Sequence, residues 1–550
     1  LNGNKVRFRF PKGYDPELPL VIDPQFVFYT YSGGFSDNWG NTAIGDKFGN
    51  SYLAGTVYGP AFPATLGAFD TQFNGEPLEG SSTYDIGIQK FSPDGSQLLA
   101  CTFLGGSEAD TPHSINIDDQ NNLLVFGTTS SLDFPTSSTA FQRLHKGGST
   151  FHPLHSVYVS FTYNNGADLF ITKLSGNGNS LIASTFLGGS QNDGNVAWSD
   201  SLYANYGDSY RGDIATAPDG SILVASCTYS SNFPVQNAHQ SVKSKGMDGI
   251  VFRLSPDLDQ LIWSTFLGGG ATDAFYSIQV QGANRVVVCG GTKSKDFPMT
   301  PNAYQGVSTI GQSVPFQRLR NTDAVIASFN LETGSLMHST FYGSTSYDQA
   351  YLVQTDSEGN VYILGQTEGI IPRTAGTYGS NGGKVFLAKL NPDLDQRIWA
   401  TSLGSNTESR LVPSAFMVDS CGRLYFSGWG GESNDDFIGG FTLGFPTTTD
   451  AYKPSTDGSD FYFGVLSSDA TSLQYGSFFG GPYRGEHVDG GMSRFDKSGT
   501  ITQAICGCTS GNNFFNRGSI GSYSPTIKST NCNQSVVKFN LGVLESKFNL

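Results

Sequence analysis

A seven-residue phrase built around Leu-Gly-Gly recurs along this chain of 550 residues. The clearest copies are CTFLGGS, ending at Ser107, and STFLGGS, ending at Ser190. Successive copies lie 61 to 83 positions apart. Their central residues are Thr30, Thr102, Thr185, Thr265, Thr340, Thr401 and Ser477. Internal repetition at this spacing predicts a fold in which one supersecondary unit is copied many times.

A second phrase, five to seven residues of β-branched and aromatic character, precedes each of the last six copies. The first residues of this phrase are Asp85, Asp168, Asp248, Asp323, Lys384 and Asp460, with a further copy at Asn533. Runs of this length, bounded by turn residues, predict β-strands rather than helices. We name this strand a, and the Leu-Gly-Gly phrase that follows it strand b.

Two more strands, c and d, follow each Leu-Gly-Gly phrase as a hairpin, for example in INIDDQNNLLVFGTT from Ile115. Repeated units of four antiparallel strands predict an all-β fold, a β-propeller. The N-terminal region supplies strands b, c and d only, whereas the C-terminal region supplies a lone strand a. The two ends therefore complete one blade, so we expect seven blades in a closed ring without exposed sheet edges.

The same reasoning sets the domain boundaries. We expect a lead-in segment at residues 1–25 that is the tail of a preceding module. The propeller should span residues 26–541, and residues 542–550 should form an exit linker to a following module.

The phrases resemble the SBBP-type β-propeller repeat of bacterial extracellular proteins. The matching parts are the D-x-F-x-x-K-L strand, the Leu-Gly-Gly phrase, and D-F-P-T or a relative followed by A-Y-Q or a relative, as at 133–136 with 140–142 and at 296–299 with 303–305. The stretch 6–34 resembles the junction before such propellers in large surface proteins of Bacteroidota. This resemblance implies an extracellular or cell-surface location, a role in adhesion or gliding motility, and export by type IX secretion. The family carries no catalytic signature.

The composition restricts the partners. Only 14% of the residues are charged and the net charge is −15, which argues against nucleic acid, because its binding needs basic patches. No apolar stretch approaches the roughly 18 residues of a membrane span. We therefore expect no nucleic acid partner and no transmembrane segment.

Three of the seven cysteines flank the predicted closing blade. A disulfide from either Cys506 or Cys508 to Cys532 would tie the last strand d to the last strand a in an oxidising compartment. A zinc site would need a fourth ligand, and no His or Cys lies at metal-like spacing nearby.

Strand direction places the a–b and c–d turns on one face and the b–c and d–a loops on the other. The second face carries every large insertion, and variable loops on a rigid scaffold are the usual place for binding. The insertion 196–212 offers aromatic side chains and an arginine that suit sugar stacking or a protein contact. These ligand-binding candidates are Trp198, Tyr203, Tyr206, Tyr210 and Arg211. The alternative is a loop that packs its aromatic side chains onto the propeller.

The aspartates that begin strand a form a second candidate. If strand a is innermost, they surround the mouth of the central channel and could hold a cation such as calcium. These weak metal candidates are Asp85, Asp168, Asp248, Asp323 and Asp460. The alternative, which we favour, is that each caps a loop by accepting backbone N–H bonds. We therefore expect no catalytic residue, no cofactor and no required metal.

The sequence thus predicts a non-catalytic interaction module of a secreted or cell-surface protein. Its partner would be a cell-surface or secretion-machinery protein, or an extracellular glycan, bound through the b–c/d–a face. Two alternatives stay open. One is a polysaccharide-active enzyme, a glycosidase or lyase, that uses the same face. The other is a structural spacer in a long adhesin.

Overall fold

The computed structural model describes residues 25–76, 83–154, 161–310, 322–404, 409–434, 440–481, 486–508 and 518–542. In these residues, 28 β-strands form seven four-stranded antiparallel sheets, arranged as the blades of a β-propeller. Helical structure in the same residues is limited to two single 3₁₀ turns, Asp208–Tyr210 and Glu432–Asn434. The predicted all-β, seven-bladed fold is confirmed.

Each blade has four positions, counted outward from the axis. The innermost strands are β2 (Asn38–Gly45), β6 (Asp110–Ile117), β10 (Asp213–Thr216), β14 (Asp273–Gln281), β18 (Asp348–Thr355), β22 (Val412–Val418) and β26 (Arg494–Phe495). The second strands are β3 (Ser51–Val57), β7 (Leu123–Thr129), β11 (Ile222–Thr228), β15 (Arg285–Thr292), β19 (Val361–Thr367), β23 (Leu424–Trp429) and β27 (Thr500–Cys508).

The outer half of each blade is a second hairpin. The third strands are β4 (Asp85–Phe91), β8 (Asp168–Leu174), β12 (Asp248–Leu254), β16 (Asp323–Asn330), β20 (Val385–Leu390), β24 (Phe461–Leu466) and β28 (Cys532–Asn540). The outermost strands are β5 (Leu98–Leu104), β9 (Leu181–Leu187), β13 (Leu261–Leu267), β17 (Leu336–Tyr342), β21 (Arg397–Leu403), β25 (Leu473–Phe479) and β1 (Gln25–Tyr31).

The order of strands within a blade differs from the order of the sequence repeat. Each sheet runs c–d–a–b from the axis outward, so strand c is innermost and strand a is third. The Leu-Gly-Gly phrase is the outermost strand, and the b–c loop after it carries the chain to the inner strand of the next blade. Hairpin patterns in the sequence identify both pairs of strands. They do not show which of the two long connections crosses between blades.

The ring closes by pairing of the two ends of the described chain. Strand β1 lies beside β28, with Phe28 opposite Lys538 and Thr30 opposite Val536. The predicted pairing of the two ends is therefore confirmed. β28, which is a strand a, is the third strand of the seventh blade, between β27 and β1, so strand a is not innermost.

The hydrophobic core lies between the faces of neighbouring blades. The second and third strands are buried along nearly their whole length on both faces. Between the second and third blades, for example, Phe126 and Ile171 pack against Val224 and Ile250. Burial of each such side chain stabilises the fold by roughly 1.5–3 kcal/mol, which explains why these strands are apolar on both faces.

The recurring phrases meet at one point in several repeats. In the second blade, the Gln142 side chain accepts a bond from Gly188 N at 3.2 Å and donates to Asp168 Oδ2 at 3.3 Å. A Cβ on Gly188 would stand 2.5 Å from the Asp168 carboxyl group, so only glycine fits there. Gln240, Gly268 and Asp248 repeat this contact in the third blade. The phrases thus form a structural junction between a strand and its neighbouring loop.

The predicted lead-in segment 1–25 and exit linker 542–550 lie almost entirely outside the described residues. The described part of the chain contains no helix with the length and hydrophobicity needed to cross a bilayer.

Candidate functional site

We call the face with the short a–b and c–d turns the turn face, and the face with the d–a and b–c loops the insertion face. On the insertion face, residues 196–212 enter the axis and close it; we call this segment the plug. Asn205 Nδ2 donates to Tyr351 OH and to Gln366 Oε1, both at 2.8 Å. Gln349 Nε2 donates to Leu202 O at 3.0 Å. The plug, which begins after the second blade, therefore bonds to the fifth blade across the axis.

A buried ion pair holds the plug in shape. Arg211 Nε donates to Asp208 Oδ1 at 2.9 Å, and both side chains are buried. The second carboxylate oxygen of Asp208 accepts bonds from Asn205 N at 2.7 Å and from Tyr351 OH at 3.0 Å. The Arg211 guanidinium also lies 4.8 Å from the centre of the Tyr351 ring. Both charges are thus compensated, as buried charges must be.

The plug contains all five predicted ligand-binding residues. The structure buries Tyr203, Tyr210 and Arg211, which are 4%, 2% and 5% exposed. Tyr206 is half-buried, and its hydroxyl group donates to Asp489 Oδ1 at 2.8 Å. Trp198 is 39% exposed. Three of the five side chains thus pack onto the propeller, which is the alternative given above for this loop. Trp198 is the side chain most accessible to a partner on this face.

The five aspartates that begin strand a do not surround the channel. They stand at the third strand of their blades, because strand c occupies the axis. We expected these aspartates at the channel mouth if strand a were innermost, and that position is wrong for Asp85, Asp168, Asp248, Asp323 and Asp460. Most accept a backbone N–H from the preceding loop. The distances are 2.8 Å from Asn74 N to Asp85, 2.7 Å from Lys146 N to Asp168, 2.7 Å from Ser244 N to Asp248 and 2.9 Å from Thr309 N to Asp323. Asp460 instead pairs with Lys453 Nζ at 2.6 Å.

A second carboxyl group stands beside each of these aspartates. At the first junction it belongs to Asp110, which begins the next inner strand, and Gly105 lies between the two side chains. Burial, reinforced by the charge of Asp110, raises the pKa of Asp85 to about 8. Burial likewise raises the pKa of Asp110 to about 7. These junctions are therefore structural contacts in which the carboxyl groups are driven towards the neutral form.

The axis stays open on the turn face, where it forms a blind funnel of about 1130 Å³. Its wall includes residues from the inner strands of all seven blades and extends over the outer strands of the fifth blade as far as Trp399. An arc of neutral amide and hydroxyl side chains lines successive inner strands from the second blade to the fifth. These residues are Asn116, Thr216, Gln279, Gln354 and Thr355, all partly exposed.

An ion pair forms the floor of the funnel. Arg494 Nη2 lies 2.5 Å from Asp213 Oδ1 and also donates to Ser114 Oγ at 2.9 Å. Asp213 accepts further bonds from Ile278 N at 3.1 Å and from Ser277 Oγ at 3.3 Å. The Asp213 side chain is 2% exposed and that of Arg494 is 20% exposed. Arg494 therefore links the seventh blade to the second and third at the base of the cavity.

The carboxylates nearer the mouth are held ionised by donors of their own. Asp356 lies 3.2 Å from Lys389 Nζ and accepts the Tyr362 hydroxyl at 2.9 Å. Burial opposes ionisation of Asp356, but its donors, with Asn360 foremost, outweigh burial and lower its pKa. Hydrogen bonds from Ser467 and Thr471 lower the pKa of Asp469. The funnel therefore presents carboxylates that are held by their own donors beside a row of neutral polar side chains.

Sequence reasoning missed the funnel residues. Asp213 is the first residue of its strand and follows the plug directly, and Arg494 belongs to a strand of two residues, so neither stands out within a strand pattern. One signal was available. Asp213 is level with Ser114 and Ser277, as their mutual hydrogen bonds show. An acidic residue thus replaces the serine of neighbouring repeats, and this substitution within a repeat pattern marks a local role.

No known protein family matches the sequence, and no curated protein matches it either. Several solved structures are similar in fold. One is Raptor of Chaetomium thermophilum, at 8% identity and a TM-score of 0.41, covering 93% of this chain and 29% of that chain. This chain thus spans less than a third of Raptor.

A protein of unknown function from Dyadobacter fermentans has 9% identity and a TM-score of 0.40, covering 94% of this chain and 99% of that chain. An ulvan lyase, a polysaccharide lyase, has 10% identity and a TM-score of 0.40, covering 86% of this chain and 92% of that chain. At these identities the likeness concerns the propeller fold alone.

Proposed function

We propose that the protein is a non-catalytic binding module that takes a segment of an extracellular glycan into the funnel on the turn face. The observation that carries this proposal is the arc of neutral amide and hydroxyl groups, on the inner strands of four blades, in a blind cavity of about 1130 Å³. Such groups match the hydroxyl groups of a sugar chain, and pockets of this kind rely on a few convergent polar groups for specificity.

The state of the carboxyl groups favours binding over glycoside cleavage. A glycosidase needs one carboxylic acid with a raised pKa beside an ionised one. In the funnel, Asp213 is paired with Arg494, and the pKa values of Asp356 and Asp469 are lowered. These groups suit orientation of a ligand better than proton transfer to it.

A secreted or cell-surface location is part of the proposal. It is supported by the disulfide between Cys508 and Cys532, since such bonds persist in oxidising compartments. The resemblance to SBBP-type repeats of Bacteroidota surface proteins points the same way, towards a role in adhesion. The use of the turn face departs from the binding face expected from the insertions.

A glycan array with a parallel hydrolysis screen tests the function. We expect a retained glycan that is not shortened. Gln354→Trp, which fills the funnel, should weaken its binding roughly tenfold or more, about 1.4 kcal/mol. Gln72→Trp, at an exposed position outside the funnel, is the matched control and should bind as the parent does.

Trp198→Ala separates the two faces. If the glycan binds in the funnel, this change on the insertion face should leave binding unaltered. Loss of binding in Trp198→Ala with full binding in Gln354→Trp would place the site on the insertion face instead. Shortened glycan products in the screen would favour the enzyme.

A further inference from the structure

Three cysteines and a histidine share one face of the sheet in the closing blade. Cys506 and Cys508 stand two residues apart on β27, so their side chains point to the same side. Cys532 lies directly opposite Cys508 on β28. His487 lies directly opposite Cys506 on the other flank of β27, where Cys506 N donates to His487 O at 2.8 Å. Directly opposed residues of antiparallel strands also share a face.

The side chains of His487, Cys506 and Cys508 lie close together, with Cys508 partly exposed and the other two buried, and Cys532 is bonded to Cys508. The sulfur atoms of Cys506 and Cys508 are 3.5 Å apart. One ring nitrogen of His487 and these two sulfur atoms all lie within 4.8 Å of one another. Cys508 forms the disulfide with Cys532, while Cys506 is a free thiol. Of the two predicted pairings, the structure therefore has the one from Cys508.

A carboxylate lies beside both the histidine and Cys506. Asp489 Oδ1 lies 3.3 Å from His487 Nε2, and Asp489 is itself buried and held by the Tyr206 hydroxyl. A carboxylate that accepts the imidazole N–H is a common way to orient a metal-binding histidine. The other carboxylate oxygen of Asp489 is buried without a hydrogen-bond partner among the described residues.

These observations match a tetrahedral zinc site of the Cys₃His type, which proteins use for structure. Zinc–sulfur bonds of about 2.3 Å in a tetrahedron place the sulfur atoms about 3.8 Å apart, close to the 3.5 Å between Cys506 and Cys508. The sequence offered no fourth ligand at metal-like spacing. The propeller supplies His487 from the segment before β26, through the cross-strand bridge.

We propose that Cys506, Cys508, Cys532 and His487 bind one zinc ion when the Cys508–Cys532 disulfide has been reduced. A dithiol reductant gives two electrons to this disulfide and is itself oxidised to a disulfide, which leaves the thiols of Cys508 and Cys532. Zinc then binds the sulfur atoms of all three cysteines as thiolates, with release of three protons to solvent, and the imidazole as the neutral fourth ligand. Either the disulfide or the zinc ion would join β28 to β27 at the point where the ring closes.

The test uses the full chain, reduced with a phosphine under nitrogen and given zinc or cobalt. We expect one zinc ion per chain and, for cobalt, the thiolate charge-transfer bands of a tetrahedral site. Cys506→Ser should keep the disulfide when oxidised but lose stoichiometric zinc when reduced. Cys289→Ser, which removes another buried free thiol, is the matched control and should bind zinc as the parent does.

Thermal unfolding keeps the result interpretable if reduction weakens the fold. The reduced parent should melt at a lower temperature with a chelator than with zinc, and Cys506→Ser should show no such difference. The proposal is overturned by a reduced parent that takes up no zinc. It is also overturned if reduction unfolds the parent and zinc does not restore it, or if Cys506→Ser binds zinc as tightly as the parent.

Discussion

Aspartate side chains have pKa values shifted in opposite directions on the two faces of the propeller. On the insertion face, aspartates at the blade junctions have raised pKa values, about 8 for Asp168 and about 7 for Asp193. On the turn face, aspartates in the hairpin turns have lowered pKa values, as at Asp94, where the Ser92 hydroxyl is the main cause and the pKa is about 2. Both sets recur from blade to blade.

Burial explains the difference. At a junction, desolvation dominates and a second carboxyl group adds repulsion, so the neutral form is favoured. In a turn, backbone and side-chain donors surround a carboxylate that solvent can also reach, so the charged form is favoured. A recurring aspartate therefore indicates a repeated structural position, and its chemistry follows from the face on which it lies. The insertion face is closed by packed loops, whereas the turn face keeps charge around an open funnel.

The largest expected effect contrasts the two axial ion pairs. Arg211→Met should leave Asp208 as an unpaired buried charge and lower the free energy of unfolding by about 3–5 kcal/mol. Arg494→Met should cost less, about 1–3 kcal/mol, because Arg494 is 20% exposed in the funnel and its removal lets water reach Asp213, which is otherwise buried. Denaturant unfolding of both variants measures the difference. Equal losses would mean that the closed and open ends of the axis are equally shielded.

The junction carboxyls predict a loss of stability as the pH rises. Asp85 and Asp110 bind protons in the folded state up to about pH 8 and 7, whereas an unfolded aspartate releases its proton near pH 4. The native state thus holds more protons between these values, so the free energy of unfolding falls as the pH rises from about 4 to 8. One such carboxyl contributes about 1.4 kcal/mol for each pH unit of that window.

Thermal melts of the parent and of Asp85→Asn between pH 5 and pH 8.5 check this effect. The amide can still accept the bond from Asn74 N but does not titrate. We expect the melting temperature of the parent to drop with rising pH and that of Asp85→Asn to drop less. Parallel curves for the two proteins would show that Asp85 is ionised throughout.

Much of the fold could be predicted because its signals are local. Alternating strands, turn residues and the Leu-Gly-Gly phrase define the four strands of each repeat, and the lone strand near Val536 indicates the closure. The order of strands from the axis could not be predicted, because the d–a and b–c connections lie on the same face and both carry insertions. The channel-mouth position of Asp85 depended on that order.

The site was harder to predict than the fold. Tyr203 and Tyr210 have the composition of a binding loop, yet the plug turns inward and buries them. Its destination depends on contacts with distant residues such as Gln349 and Tyr351, which no local pattern encodes. Conversely, the funnel is lined by ordinary residues whose significance comes only from closure of the ring.

On the turn face, Asp118→Asn should give a smaller effect with the opposite pH dependence. Burial disfavours the ionised carboxyl group, but donors from Lys173, at 2.8 Å, and Asn122 outweigh it and lower the pKa. This stabilisation is present above about pH 4 and is lost as the pH falls through the folded pKa. The variant should lose about 1 kcal/mol at pH 6. Chemical unfolding at pH 6 and pH 2.5 measures this, and a loss that persists at the lower pH would contradict the assignment.

The smallest expected effect concerns calcium at the junctions. A bound cation would hold Asp85 and Asp110 ionised, which would abolish the contrast between the two faces. We expect no such dependence, because the Asp85 carboxyl group already accepts Asn74 N and its pKa is raised enough for a proton to neutralise it. A chelator should therefore leave the melting temperature of the oxidised protein unchanged at pH 6. At a true calcium site, a hundredfold excess over the dissociation constant would stabilise the fold by about 2.7 kcal/mol. A fall in melting temperature with chelator that only calcium reverses, and that Asp85→Asn removes, would instead make the junctions metal sites.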